Sequence, residues 1–484
     1  MQFQFSIVIF AASLATAIRP CIAVMRSRYV EVQRESGRLL ANMCASDSEF
    51  TDNIIQGGGH QLLISYLLSQ DTACQRVGAL GIGNICTQDR HRVVLLASGT
   101  LEPLCSLARS EDIELEIQRF AVLGIANLAS SVDNHPAFIE EGMLPLLISL
   151  SNAPDSEVRL YAAYALTKIA QNADVRAVVS SEGGLEPVLY LARTDEPEIQ
   201  REILPALSTL SFADSNKIDI CKNGGLPPII SAIRDASVET SRQACCALAN
   251  LAEVVENMPK IIEANAVTPL VESLASMSPE VQRETARCIG NLAANIEYGD
   301  LILKAGSLLP LMAILRSDEH ECSRMASMAL CNIASNIKNQ NKMLEGGILE
   351  PIVAQCRTAL DPKARSDHET TRYCLLVLSN LSVSRQNHKL IMTEVLDVLA
   401  GFSKHRDIKC RQHAVFALGN LCANHDNLEP IIRTGCLKTF ITYAFPSTDT
   451  STNVQFQAIA ALRGIATHQL LRMQCVREGA LEVS

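Results

Sequence analysis

One asparagine returns at an almost constant interval along the chain, each time after an aliphatic and a small residue and before another aliphatic. It stands at Asn42, Asn84, Asn127, Asn250, Asn291, Asn332, Asn380 and Asn420, while Lys168, Thr209 and Gly464 fill the remaining slots. Successive slots lie 42, 43, 41, 41, 41, 41, 41, 48, 40 and 44 residues apart. A period of about 41 residues held over a whole chain points to a solenoid, because each unit buries its apolar face only against its neighbours. A polar side chain repeated once per unit falls on one line, which suits a binding surface better than an active site.

Residues 298–338 show what one unit contains. A short helix over Tyr298–Lys304 closes at Ala305-Gly306, where glycine accepts the left-handed conformation that ends a helix. A second helix opens at Ser307-Leu308-Leu309-Pro310, since proline is tolerated in a first turn whose N–H groups are unpaired anyway. Arg316-Ser317-Asp318-Glu319 reads as a turn, and a third helix runs Cys322–Ala334 with Met325, Met328, Ala329 and Ile333 toward the core. The second-helix proline recurs as Pro103, Pro145, Pro187, Pro228, Pro269, Pro310 and Pro351, most often preceded by glycine. Three helices in about 41 residues separate this pattern from two-helix repeats of shorter period.

The phrase Gly224-Gly-Leu-Pro-Pro-Ile-Ile, followed by Val238-Glu-Thr-Ser-Arg-Gln-Ala-Cys-Cys-Ala-Leu-Ala-Asn-Leu-Ala252, resembles an armadillo repeat. In style it is similar to beta-catenin, the plakophilins and the yeast vacuolar armadillo adaptor. The resemblance implies an all-α, right-handed superhelical solenoid of about eleven three-helix repeats and a C-terminal stub. The units are 1–48, 49–90, 91–133, 134–174, 175–215, 216–256, 257–297, 298–338, 339–386, 387–426 and 427–470, with a partial unit at 471–484. One continuous solenoid replaces the two to four globular domains that 484 residues would otherwise suggest.

The same resemblance implies that third helices line a concave groove, where Asn42, Asn84, Asn127, Asn250, Asn291, Asn332, Asn380 and Asn420 bond the main chain of an extended peptide. The bland alternative is that these asparagines cap or cross-link neighbouring helices. Lys168 and Thr209 interrupt the ladder and suggest two windows, the second from Asn250 to Asn420. Eight positions upstream runs a second ladder of Arg34, Arg76, Arg119, Arg201, Arg242, Arg283, Arg324 and Arg372. It is read either as pairing with glutamates or carbonyls of the preceding unit or as a basic strip for acidic partner segments. Importin-alpha is the rival within the family. Its groove relies on a tryptophan one turn before each asparagine, whereas this chain has no tryptophan and carries Leu80, Leu123, Arg287, Met328, Leu376 and Phe416 at such positions.

Composition narrows the function. With 42 basic and 52 acidic residues the chain is a poor general polyanion binder, so nucleic acid is not expected as a partner. Its 17 cysteines form no spacing framework and sit inside apolar phrases, which suits the reducing cytoplasm. Protein partners held through extended segments are expected, with no cofactor, no metal and no catalysis. Gly78-Ala-Leu-Gly81-Ile-Gly83 lacks the strand a dinucleotide loop needs. The Cys410/His413 and Cys422/His425 pairs sit about 18 Å apart along one helix, too far for one tetrahedral ion.

Four departures from the pattern remain. About seven extra residues in repeat nine are placed in a loop near Leu360–Asp367, and Pro205 should kink or break the third helix of repeat five and change curvature there. Residues Met1–Ile18 are uncharged and are read as repeat helices, with Pro20 in the proline slot, or alternatively as a signal or anchor that tethers the protein to the cytoplasmic face of a membrane. The last residues begin a twelfth unit without its second helix, so the chain either exposes an apolar, uncapped end that another subunit of an oligomer or another domain covers, or is an incomplete product.

Overall fold

The computed structural model describes residues 18–46, 48–110, 112–170, 172–194, 197–361, 363–364, 366–445 and 452–479. The fold is an all-α repeat solenoid, and among the described residues no strand occurs. The chain divides into two compact units, Met1–Pro228 and Ile229–Ser484. In the first, the third helices Val30–Ser46, Thr72–Cys86, Leu115–Ala129, Ser156–Ala170 and Pro197–Leu210 each pack on the next. In the second, the same holds for Val238–Leu251, Pro279–Ala293, His320–Ala334, His368–Leu381, Ile408–Leu421 and Thr452–Thr467.

Repeat eight shows how the sequence produces its three helices. They run Ile296–Lys304, Leu308–Leu315 and His320–Ala334. Asn295 caps the first by accepting the Glu297 N–H, and Gly306 ends the turn after it at φ +93°. Repeat seven makes the same turn with Asn265 at φ +59°, asparagine being the side chain that best tolerates this region. Third helices are begun by short polar caps. Asp71, Ser237, Ser278, Asp367 and Asp407 each accept the N–H three residues on, replacing a bond the first turn lacks.

The core is built of small aliphatics and cysteines. Ala329 and Ile333 are buried as expected, but Met325 and Met328 are half-exposed. Periodicity alone placed them inside. They instead fall on the outer stripe of the third helix, and Met328 covers Gly290 of the preceding repeat. The glycine run at 78–83 serves close packing within the helix Thr72–Cys86. A Cβ on Gly78 would lie 2.8 Å from the Leu63 carbonyl oxygen, and one on Gly81 would lie 2.8 Å from Leu63 Cδ1.

Two local expectations need correction. The insertion in repeat nine is not all loop: its second helix, Leu349–Leu360, has 12 residues against 8 in repeat eight. The connector 361–367 then has seven residues against four at 316–319, so four extra residues extend a helix and three lengthen the link. The helix Pro197–Leu210 also continues through Pro205 without a break. Packing on the preceding third helix outweighs the lost backbone bond.

Residues 18–24 are helical and include Pro20. The apolar stretch before Ile18, Pro362 and Arg365 of the insertion, and the end of the stub at 480–484 lie outside the described residues. Among the described residues no single helix is long and apolar enough to cross a membrane.

Candidate functional site

A third helix is held on both sides by neighbouring third helices and beneath by its own second helix. One narrow stripe is left outward: the arginine position, the residue four on, and the asparagine position. Arg76, Leu80 and Asn84 are half-exposed, as are Arg119, Leu123 and Asn127. In the second unit the same is true of Arg324, Met328 and Asn332, of Arg372, Leu376 and Asn380, and of Phe416 and Asn420. The stripe is therefore polar at its edges and apolar along its middle.

The asparagines are stapled to one another's helices. Asn84 Nδ2 donates to the Ala41 carbonyl at 3.0 Å, and Asn127 to Gly83 at 3.4 Å. In the second unit Asn291 donates to Ala249 at 3.0 Å, Asn332 to Gly290 at 2.8 Å and Asn380 to Cys331 at 3.4 Å. Each acceptor is the residue immediately before the asparagine slot of the preceding repeat. Gly83, Ala249, Gly290 and Cys331 stand in the last four positions of their helices; the Gly290 and Cys331 carbonyls also accept the N–H of the capping Ala294 and Ser335, each at 3.2 Å. At the tenth repeat the Ser379 carbonyl accepts the Ser382 hydroxyl at 2.6 Å, and Asn420 donates to that hydroxyl at 3.0 Å instead. In all six cases Oδ1 and the second Nδ2 proton take no partner among the described residues.

Two ladder members differ. Asn42, with no earlier third helix beside it among the described residues, is exposed. Asn250 is only 2% exposed, because Arg287 of the next repeat lies over it. The Arg287 guanidinium donates to Asn250 Oδ1 at 2.8 Å and to the Cys246 carbonyl at 3.4 Å, and it pairs with Glu284 at 2.8 Å and Glu253 at 3.0 Å. The step at Asn250 is thus filled by the chain itself. Between the windows, the Lys168 ammonium sits 4.7 Å from the centre of the Tyr164 ring, and Thr209 is half-buried.

The arginine ladder is largely compensated rather than free. Arg34 pairs with Asp71, Arg76 with Glu114 and Glu116, Arg119 with Asp155 and Glu157, and Arg372 with Asp407. Arg324 reaches Glu369 at 3.3 Å as well as its own Glu321, while Arg242 and Arg283 pair with Glu239 and Glu284. Arg201 has an interaction of its own. The cross-repeat partners lie in the following unit, not the preceding one. Asp71, Asp155 and Asp407 also accept N–H groups of their own helices, so one carboxylate begins a helix and ties it to the previous repeat. The arginine beside each holds these carboxyls below the usual carboxylate range.

A further ladder escaped the reading of the sequence. Seven residues after the slot stand Asn134, Asn216, Asn257, Asn339, Asn387 and Asn427, all buried. Each donates to the carbonyl six residues back, at 2.9 to 3.1 Å, capping the third helix from the start of the following repeat. The recurrence of asparagine seven places after the slot was countable from the sequence. Its buried setting was not.

Residues 213–253 and 256–294 match the family model for the Armadillo/beta-catenin-like repeat, and residues 143–173 match that for the HEAT repeat. No curated protein sequence matches the chain. Among solved structures, a crystallised engineered protein superposes with a TM-score of 0.71 at 27% identity, over 84% of this chain and 98% of its own. A chain from a study of a conserved phosphorylation switch in the interaction between cadherin and beta-catenin superposes with a TM-score of 0.78 at 15% identity, over 93% and 91%.

Proposed function

We propose that this chain, a solenoid of armadillo repeats, is a non-enzymatic scaffold that holds extended segments of partner proteins along the exposed stripes of its third helices. The observation that carries the reading is the half-committed amide of the ladder asparagines. One Nδ2 proton goes to the neighbouring repeat and fixes the side chain's orientation. The remaining acceptor and donor are the pair that an extended main chain offers in return. Asn84 and Asn127 with Leu80 and Leu123, joined by the exposed Asn42, form one window. Asn291, Asn332, Asn380 and Asn420 with Met328, Leu376 and Phe416 form the other, and the filled step at Asn250 is left out of it. Apolar partner side chains fit the middle of each stripe. The similar structure from the cadherin and beta-catenin study gives the reading a precedent in the fold. A cytoplasmic location is part of the same proposal, and the burial of the cysteines as small apolar side chains supports it.

The test is a selection of random peptides of about 12–15 residues, the length an extended chain needs to cross four or five repeats, on the full-length protein. Affinities are then measured for Asn332→Ala, Asn380→Ala and Asn339→Ala. Each ladder substitution is expected to weaken binding about 5- to 10-fold, the worth of one hydrogen bond. Asn339→Ala removes an interior cap, so it lowers melting without changing affinity. Selected peptides whose affinity ignores both ladder substitutions would remove the groove reading.

A further inference from the structure

Two departures from the repeat pattern face each other. The lengthened connector of repeat nine carries Ser366, and the turn that leads into the third helix of repeat ten reads Lys404-His405-Arg406. Equivalent turns elsewhere read Arg234-Asp235-Ala236 or Arg316-Ser317-Asp318, with one positive charge at the Lys404 position and none at the Arg406 position. Ser366, His368, Lys404, His405 and Arg406 together line one cavity of about 400 Å³.

The chemistry of that cavity is that of an anion receptor. Arg406 is exposed, and no carboxylate among the described residues pairs with it. His405 Nδ1 accepts the Asp407 N–H at 3.1 Å, which puts the ring proton on Nε2 and leaves that atom a donor. Burial, with the Arg406 and His368 charges beside it, disfavours the protonated form of His405. Lys404 Nζ holds the Thr434 carbonyl at a long 3.4 Å and so keeps two protons unassigned. Three carboxylates are near: Asp361, which itself lines the cavity, accepts the Lys363 N–H, Asp367 accepts the Thr370 N–H and hydroxyl, and Asp407 is paired with Arg372. Ser366 is half-exposed and stands just before the cap of a 14-residue helix, whose dipole favours negative charge there.

We propose that Ser366 is a phosphorylation site whose phosphate is received by the Lys404-His405-Arg406 turn of the next repeat. Lys363 and Arg365 precede the serine, the context a basophilic protein kinase reads. The kinase transfers the γ-phosphoryl group of a nucleoside triphosphate to Ser366 Oγ. The new O–P bond replaces the β–γ anhydride bond, nucleoside diphosphate leaves, and the hydroxyl proton passes to the kinase's base. The phosphate brings a charge near −2 and three acceptor oxygens to the Lys404 and Arg406 cations and the His405 Nε2–H donor. It thereby ties the connector of repeat nine to repeat ten.

The experiment uses the full chain with phosphoserine placed at 366 during translation, followed by ³¹P NMR across pH. The second ionisation of the phosphate, ordinarily near ~6, is expected about half a unit or more lower than in a peptide of the same local sequence. In the Lys404→Ala/Arg406→Ala variant, whose altered side chains are both exposed, it should return to the peptide value with helicity unchanged. A phosphate that titrates like the peptide in the parent chain overturns the receptor. Treating the unmodified chain with a basophilic kinase and Mg-ATP, read by mass spectrometry against Ser366→Ala, tests the modification: phosphate at 366 supports it, and phosphate only elsewhere overturns it.

Discussion

A ladder asparagine and a salt bridge look alike in a list of polar contacts, but they differ in what they leave over. Asn332 donates one proton to Gly290 and retains a donor and an acceptor, whereas Arg372 is bound to Asp407 by two hydrogen bonds. Asn250 shows the third outcome, in which a neighbouring side chain takes the whole position. Arg287→Ala should uncover Asn250 and leave Glu284, itself only 10% exposed, with Arg283 alone. The expected loss is about 1.5–3 kcal/mol, the worth of bonds to a charged group, seen as a lowered melting temperature. Selected peptides should then gain contacts at Asn250, seen as protection of its side-chain amide. The aspartate caps carry a pH dependence of definite sign. Their folded-state carboxyls titrate below the unfolded ones, so the stability they contribute is present above about pH 4 and lost as pH falls below it. Asp407→Asn keeps a capping side chain but removes the charge. It should lower stability at pH 7 and make its decline between pH 4 and 2 shallower, as followed by circular dichroism.

Each repeat is three helices joined by turns whose chemistry is local. Gly306 sits at φ +93° with nothing within 4 Å of where a Cβ would be, so a substitution there meets only backbone strain. Gly306→Ala should cost about 1–2 kcal/mol. Gly306→Asn should cost much less, because Asn265 already occupies the equivalent turn at φ +59°. Thermal melts of the two variants decide this. Gly419 is the opposite case: its added Cβ would lie 3.1 Å from the Gln457 carbonyl oxygen, so the constraint is the approach of one third helix to the next. The helix Pro197–Leu210 illustrates the same competition between local and tertiary terms. Proline penalises the helix interior by about 3 kcal/mol, and packing against Ser156–Ala170 keeps it helical.

On the scale of the whole molecule, burial relies mostly on small side chains, with Phe138, Phe402 and Phe440 among the few large rings fully buried. Its core is alanine, leucine, isoleucine and cysteine, and burial pushes the Cys44, Cys86, Cys105 and Cys331 thiols up to about 12. Thiols so protonated are poor nucleophiles. A disulfide reagent at pH 8 should therefore label only a small part of the seventeen in the native chain and all of them in denaturant. Rapid labelling of most cysteines in the native state would show that the repeats open far more often than this packing implies. Each compact unit joins successive third helices by asparagine staples and, at some of their starts, by carboxylate–arginine ties such as Arg34–Asp71, Arg119–Asp155 and Arg372–Asp407.

The period of the asparagines, the proline that opens second helices and the glycine that closes first ones were enough to read an all-α repeat solenoid, because each reports a backbone requirement that recurs locally. The small residue before each slot but the last, where Arg463 stands, was legible for the same reason. Identical phrases, however, do not have identical surroundings. Met328 and Ala329 are adjacent in one amphipathic pattern, yet which is covered depends on how far the neighbouring helix reaches across. Whether an arginine faces a partner or a carboxylate depends on the next repeat, some forty residues away in sequence. The covered Asn250, the half-committed amides of the other ladder members and the cavity between Ser366 and Arg406 are all contacts between repeats. Periodicity shows that such contacts exist, and only the stacked structure shows which atoms meet.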